Sequence, residues 1–277
     1  MFKIVVTGGK GFIGSHLIKR LTELGHDVSS FDIKDGNDIR EMKVSDLEGV
    51  DYVFHTAAQA KVPLSIDDPL MTNDHNINGT LNVLECSRKA GVKRVIYSAS
   101  SSAYGEQELP LNEAKKPNPM SPYGIQKLVG EYYCKVYSKI YGLDTVSLRY
   151  FNVYGENMPL DGAYSACIAI FLDNKRNSRP LTVFGGKQRR DFTYVGDVVE
   201  ANIKAMEADM LNGEIINIGT GCNYSIDEIA EIIGGDIIHK PQRSGEPMET
   251  IADITKAKTL LKWQPQKSLK EWLKENS

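Results

Sequence analysis

Cysteine is scarce in this chain. The 277 residues hold four, Cys86, Cys134, Cys167 and Cys222, and none falls in a C-x-x-C pair. Such scattering excludes a disulfide scaffold and reads as reduced thiols in a cytoplasmic protein. Histidine is equally thin. There are 5, with no H-E-x-x-H or similar pair, so no metal is expected. Positive charge is not in excess either. Lys and Arg number 33 against 36 Asp and Glu, a net charge of −3. Neither nucleic acid nor an anionic membrane is therefore an expected partner. No apolar run approaches the roughly 18 residues of a membrane span. Met1 leads straight into a strand pattern, and no signal peptide is expected ahead of it.

What remains is an ordinary globular composition, 41% hydrophobic and 25% charged, enough for one large domain or two small ones. Its organising stretch is the first fourteen residues. Phe2 to Thr7 is a β-branched run suited to a buried central strand. Gly8-Gly9-Lys10-Gly11-Phe12-Ile13-Gly14 follows, and Ile13, Leu17, Ile18, Leu21 and Leu24 then recur at helical spacing up to Gly25. Strand, glycine turn and helix are the context of a dinucleotide fingerprint, whose helix N-terminus faces the pyrophosphate. Gly9, Gly11 and Gly14 match G-x-G-x-x-G, while Gly8, Gly11 and Gly14 match G-x-x-G-x-x-G. A second strand, Asp27 to Phe31, ends at Asp32. A carboxylate there accepts both ribose hydroxyls and repels a 2′-phosphate, which favours NAD over NADP. Lys34 is a nearby cation that would soften that preference.

Strands and helices alternate onward. A small helix is expected near Met42 to Leu47, and a strand over Asp51 to His55 that ends in Thr56-Ala57-Ala58. Small residues at a strand's carboxyl end leave room for a ligand. The pattern predicts a helix from Pro69 to Ala90, with Leu81, Val83 and Leu84 on its apolar side, and a strand over Val92 to Tyr97 that runs into Ser98 and a serine-rich turn. Ser121 and Pro122 are N-cap and first residue of a helix ending near Gly142, followed by a strand over Thr145 to Tyr150. Beyond Asn152 the pattern loosens. Strands are expected over Leu181 to Phe184 and Ile215 to Ile218, and helices over Val198 to Ala208, Ile226 to Ile233 and Thr255 to Leu261. The fold class read from this is α/β, a Rossmann-type doubly wound parallel sheet. Residues 1–150 would bind the dinucleotide and residues 151–277 would form a smaller α/β substrate lobe, with segments able to cross back.

Tyr123 and Lys127 lie four apart in a helix and share a face. A nearby ammonium favours the phenolate, and a tyrosine so tuned can exchange a proton with a sugar hydroxyl. Ser100, in the turn after a strand, is placed to bond the same oxygen.

These stretches together resemble the sugar-nucleotide epimerase/dehydratase family of extended short-chain dehydrogenase/reductases. The resemblance runs end to end, through Thr7 to Gly14, His55 to Ala58, Asn76 to Thr80, Tyr123 with Lys127, Arg149 to Gly155, Arg190 to Val195 and Arg243 to Glu246. It implies Tyr123 as acid/base, Lys127 as its tuner and nicotinamide-ribose ligand, and Ser100 as hydroxyl partner. It implies Asp38 and Ile39 at the adenine. It further implies Asn76 near the cofactor, with Phe12, Ile13, Ser98 and Tyr150 also in its site. Asn152, Arg190 and Arg243 are implied at the substrate diphosphate, a role that suits guanidinium forks.

In the 4,6-dehydratases of this family, two carboxylates follow the hydroxyl residue. Here Ser101 and Ser102 stand there, so water elimination lacks its acid and base. The best match is a UDP-hexose 4-epimerase. Thr250, seven beyond Arg243, is small where a bulky tyrosine restricts relatives to plain hexoses, so N-acetylhexosamines are expected to enter. The loop Lys61 to Ser65 resembles that of N-acetylglucosamine epimerases, with Lys61 as its departure. Alternatives are a net oxidoreductase, a uronic acid epimerase, or a non-catalytic dinucleotide sensor. The resemblance also implies a homodimer formed through the two long helices. Leu81, Leu84, Leu128 and Tyr132 are candidates for that seam, or else they face the sheet.

Overall fold

The computed structural model describes residues 1–160, 166–241 and 247–277. Arg243 therefore lies outside the described residues. The first half alternates as its hydrophobic runs predict: β1 (Lys3–Thr7), α1 (Phe12–Glu23), β2 (Asp27–Phe31), β3 (Tyr52–His55), α2 (Val62–Asp67), α3 (Pro69–Asn73), α4 (Gly79–Ala90), β4 (Arg94–Ser100), α5 (Pro122–Tyr141) and β5 (Asp144–Tyr150). The second half holds β6 (Val153–Tyr154), α6 (Ala166–Arg176), β7 (Leu181–Phe184), β8 (Arg189–Arg190), β9 (Thr193–Tyr194), α7 (Val195–Glu207), β10 (Glu214–Ile218), β11 (Tyr224–Ser225), α8 (Ile226–Ile233), β12 (Ile237–Lys240) and α9 (Leu269–Asn276).

Among the described residues six parallel strands form one sheet, in the order β10-β5-β4-β3-β1-β2. All seven residues of β5 and six of the seven in β4 are buried, as strands covered on both faces must be. One face packs Ile4, Val6, Leu17 and Leu21 against Val198, Ile203 and Met206 of α7. The other packs Val5, Val53, Val95 and Tyr97 against Val83, Leu84, Cys134 and Tyr137 of α4 and α5. The doubly wound α/β architecture is as expected from the alternation.

Segments from beyond residue 151 return to this sheet. Strand β10 pairs with β5, Glu214 opposite Val146 through Ile218 opposite Tyr150. Arg94 fastens the return. It is buried, pairs with Asp144 at 2.6 Å, and donates to the carbonyls of Ala205, Ala208 and Asp209 at the end of α7. A cation thus meets carbonyls that the helix itself leaves unpaired.

Several elements differ from expectation. The helix expected over Pro69 to Ala90 is α3 and α4 joined by a π-helical turn, Asp74–Asn78. Such turns insert one residue and tend to mark functional positions. The small helix expected at Met42 to Leu47 is a 3₁₀ turn over Val44–Leu47, and Ile39–Glu41 forms another. Leu84 is fully buried in the core, so it is not available to a dimer seam. Tyr132 on α5 is 52% exposed.

Candidate active site

The carboxyl ends of β1, β3, β4 and β5 open onto one cavity of about 430 Å³. Its floor is the glycine turn. Gly8 adopts φ +68°, a left-handed conformation that disfavours side chains, and a Cβ there would lie 2.7 Å from the Ala57 backbone. A Cβ on Gly14 would collide with the Gly8 carbonyl. The turn can therefore close only with glycine at both places, and a Cβ on Gly9 would in turn collide with the Ser30 hydroxyl. Gly11, Phe12 and Ile13 line the cavity with them, and the N-terminus of α1 points its free amides there. Thr56 and Ala58 form the adjoining wall.

Asp32 sits at the end of β2. Its carboxylate accepts from the amides of Lys10 at 2.8 Å and Lys34 at 2.9 Å, which fixes its direction and leaves lone pairs for hydroxyls. Lys10 pairs with Asp35, and the Lys34 ammonium is turned to the Lys10 carbonyl at 3.2 Å. Asp38 is bound by Arg40, whose Nε lies 3.0 Å from it, and Ile39 is buried against Gly79. Neither residue borders the main cavity. Asn76 is buried within the π turn. Its amide accepts from the Gln59 amide at 2.7 Å, and donates to the Gln59 carbonyl at 2.9 Å and to Gln126 at 2.7 Å. It clamps the loop that forms the cavity wall. Ala57 is also set behind that wall.

Tyr123, Ser98, Ser100 and Tyr150 converge on the far side of the cavity. Tyr123 is fixed at the start of α5, where Ser121 accepts from the Gly124 amide and Ser65 of α2 accepts from the Tyr123 amide, both at 3.1 Å. Burial pushes the Tyr123 phenol up to about 12, opposed by a hydrogen bond with Ser100. The expected depression by Lys127 is absent from this arrangement. The Lys127 ammonium donates to the Ser98 carbonyl at 2.8 Å and lies over the Tyr97 ring at 4.9 Å. Burial brings Lys127 itself down to about 8, with Glu131 opposing. Ser100 accepts from the Ser102 hydroxyl at 2.9 Å. Tyr150 donates to Asn202 at 2.9 Å and meets Ser98 at 3.1 Å.

The opposite wall comes from beyond residue 151. Asn152, Arg190 and Thr250 all border the cavity, and Asn152 donates to the Asp191 carbonyl at 2.9 Å. Buried Asp191 organises this wall. Its carboxylate accepts from the Thr220, Gly221 and Ala252 amides at 2.8, 3.0 and 3.1 Å, and from the Thr220 hydroxyl at 2.7 Å. Gln59, Met120 and Pro247 also border the cavity, but they lie in no motif that would single them out. Lys61 does too, at the N-cap of α2.

An open parallel sheet with a glycine turn at its switch point, and a Tyr–Lys pair in the flanking helix, define a dinucleotide-dependent enzyme of the short-chain dehydrogenase/reductase type. A family model described as the NAD dependent epimerase/dehydratase family matches residues 4–219. The UDP-N-acetylglucosamine 4-epimerase of Methanobrevibacter ruminantium, solved with UDP-N-acetylmuramic acid, is 33% identical over 99% of this chain and 96% of its own, with TM-score 0.93. The UDP-glucose 4-epimerase of Thermotoga maritima, solved with UDP-glucose, is 38% identical over 99% and 97%, with TM-score 0.90. The UDP-glucuronic acid 4-epimerase of Bacillus cereus, solved with UDP-glucuronic acid and NAD, is 34% identical over 99% and 97%, with TM-score 0.91. The chain belongs to the NAD-dependent epimerase/dehydratase family, and its cofactor is NAD. Among the described residues no helix is long and apolar enough to cross a membrane.

Proposed function

We propose that the chain is a UDP-sugar 4-epimerase that acts through a transient 4-keto sugar. One observation carries the choice of reaction. Among the described residues bordering the cavity there is no Asp or Glu, and Ser101 and Ser102 follow Ser100 there. Elimination of water needs an acid and a base that this wall does not supply. Tyr123 removes the proton of the C4 hydroxyl as that carbon becomes a ketone, with Ser100 bonded to the same oxygen. Bound NAD supplies the chemistry of taking up the C4 hydride and giving it back. Arg190 and Asn152 hold the diphosphate, Arg243 is proposed beside them, and the sugar turns its other face to Tyr123. Tyr123 then returns the proton. Lys127 and Asp32 serve the two riboses of the cofactor, and Asp38 and Ile39 its adenine.

Thr250 supports room for an acetamido group at C2, so UDP-GlcNAc and UDP-GalNAc belong among the substrates. A second reading, a UDP-uronate 4-epimerase, draws on Lys61. It and Arg190 are the cations among the described residues bordering the cavity, and a sugar carboxylate would complement Lys61. Incubation with a panel of UDP-sugars, read by NMR, separates them. Interconversion of UDP-GlcNAc with UDP-GalNAc supports the first reading, and exclusive turnover of UDP-glucuronate supports the second. Thr250→Tyr should abolish turnover of acetamido sugars and spare UDP-galactose.

Division into a cofactor unit (1–150) and a substrate lobe (151–277) is part of this proposal, as are a cytoplasmic setting and a homodimer. The four free thiols support the setting. Ile125, Tyr132, Val136 and Ile140 support the dimer, as an exposed apolar stripe along α5. Light scattering that reports a monomer at micromolar concentration would remove it.

A further inference from the structure

Tyr123, Lys127 and Glu131 are spaced four apart on α5 and are all buried, so they form one continuous face of the helix. Glu131 is fully buried and takes two hydrogen bonds from Arg149 of β5, at 2.7 and 2.6 Å. The Arg149 guanidinium lies over the Tyr104 ring at 4.4 Å, and its Nη1 is buried without a hydrogen bond. A pair like this is a poor source of stability. Taking both charges out of water costs about as much as their attraction returns, and apolar residues of equal volume often do better. The unsatisfied Nη1 adds to that cost. Stability therefore does not explain why the pair is there.

Its position does. Lys127 is one turn from Glu131 and is itself buried, with a single hydrogen bond to the Ser98 carbonyl. The titratable groups around it are Tyr123 and Cys134 on its own helix, Tyr97 on β4, His55 on β3, and Arg149 behind Glu131. Burial pushes Tyr123, Cys134 and Tyr97 up and His55 down, so all four are neutral near pH 7. Burial also pushes Glu131 up, but the guanidinium of Arg149 and the ammonium of Lys127 oppose it. Among these neighbours Glu131 alone faces Lys127 with a negative charge.

We propose that Glu131, held by Arg149, is a positioning residue for the site: its carboxylate keeps the Lys127 ammonium charged where it meets the Ser98 carbonyl, one helical turn from Tyr123. The inference rests on the proposed acid/base role of Tyr123. Without Glu131 the buried lysine loses its proton at lower pH and presents a neutral amine to the Ser98 carbonyl.

The test is Glu131→Gln, of equal size and without charge. Lys127 ionisation is followed by NMR of protein carrying carbon-13-labelled lysine, with and without NAD, with Lys127→Met as the blank. The Lys127 ammonium should lose its proton at a pH lower by about 1 to 3 units. The alkaline limb of kcat should move to lower pH, and Glu131→Asp should restore part of both. A lowered melting temperature with both titrations unchanged would reduce the pair to a structural role and overturn the proposal. If Glu131→Gln does not fold, the double variant Glu131→Gln/Arg149→Met removes both buried charges, and the same displacement is expected of it. If Tyr123→Phe keeps its turnover, the reading beneath fails. If Tyr123→Phe is dead and Glu131→Gln titrates as wild type, only the present inference fails.

Discussion

The wall of the cavity built by residues 8–14 is made of backbone, while the wall built by Asn152, Arg190 and Thr250 is made of side chains. In the first, the amides at the head of α1 face the cavity, and the residues matter for the side chains they lack. In the second, the residues matter for what they project. The difference bears on tolerance and on specialisation. A backbone cradle admits almost no change and serves one invariant partner, a dinucleotide. A side-chain wall can exchange one group at a time, which is how one fold serves several sugars.

The largest expected effect falls between the two walls. Tyr123→Phe should fold as wild type and lower kcat by about 100- to 10,000-fold, the usual worth of a general acid/base. Turnover close to wild type would remove Tyr123 from the chemistry. On the side-chain wall, Arg190→Met should weaken UDP-sugar binding by about 10- to 100-fold, the worth of charge-assisted hydrogen bonds, and leave NAD affinity unchanged. Calorimetric titration with UDP and with NAD separates the two, and equal losses for both would break the division between walls. On the backbone wall, Gly14→Ala should cost about 1–3 kcal/mol of stability through its collision with Gly8. Retained NAD should fall with it, while any UDP binding that survives should be of unchanged affinity. A thermal melt identical to wild type would show that the turn can relax. The smallest effect is expected from Asp32→Asn. It should narrow the preference for NAD over NADP by about tenfold, since one repulsive charge is lost, while the single amide oxygen keeps only one of the two backbone hydrogen bonds. Unchanged discrimination would shift the choice to Lys10 and Lys34.

These walls also differ in how far the sequence reveals them. The glycine turn is legible because its cause is local: strand, turn and helix follow one another within fourteen residues. The strands of the sheet are legible for the same reason, since burial on both faces writes itself as β-branched runs. Asp191 is not legible as the organiser of its wall. Its partners at 220, 221 and 252 are remote in sequence, and nothing in the Arg-Asp-Phe stretch names them. Strand β12 escapes notice because its residues are mostly exposed and show no alternation. The turn of Lys127 toward Ser98 is likewise invisible, because a spacing of four gives a shared face but no rotamer. Glu131 was within reach: continuing the spacing from Tyr123 and Lys127 by one more turn arrives at it.

Strand β10 has a consequence for how the chain is made. It covers the edge of β5, whose seven residues are all buried in the finished molecule. During synthesis β5 emerges well before its neighbour, and its edge stays open until Ile218 has left the ribosome. An uncovered apolar edge is a template for pairing with other chains. A nascent chain halted short of Glu214 is therefore expected to behave as a chaperone client and an aggregation seed rather than as a working half-enzyme. Splitting the gene after residue 150 is expected to expose that edge.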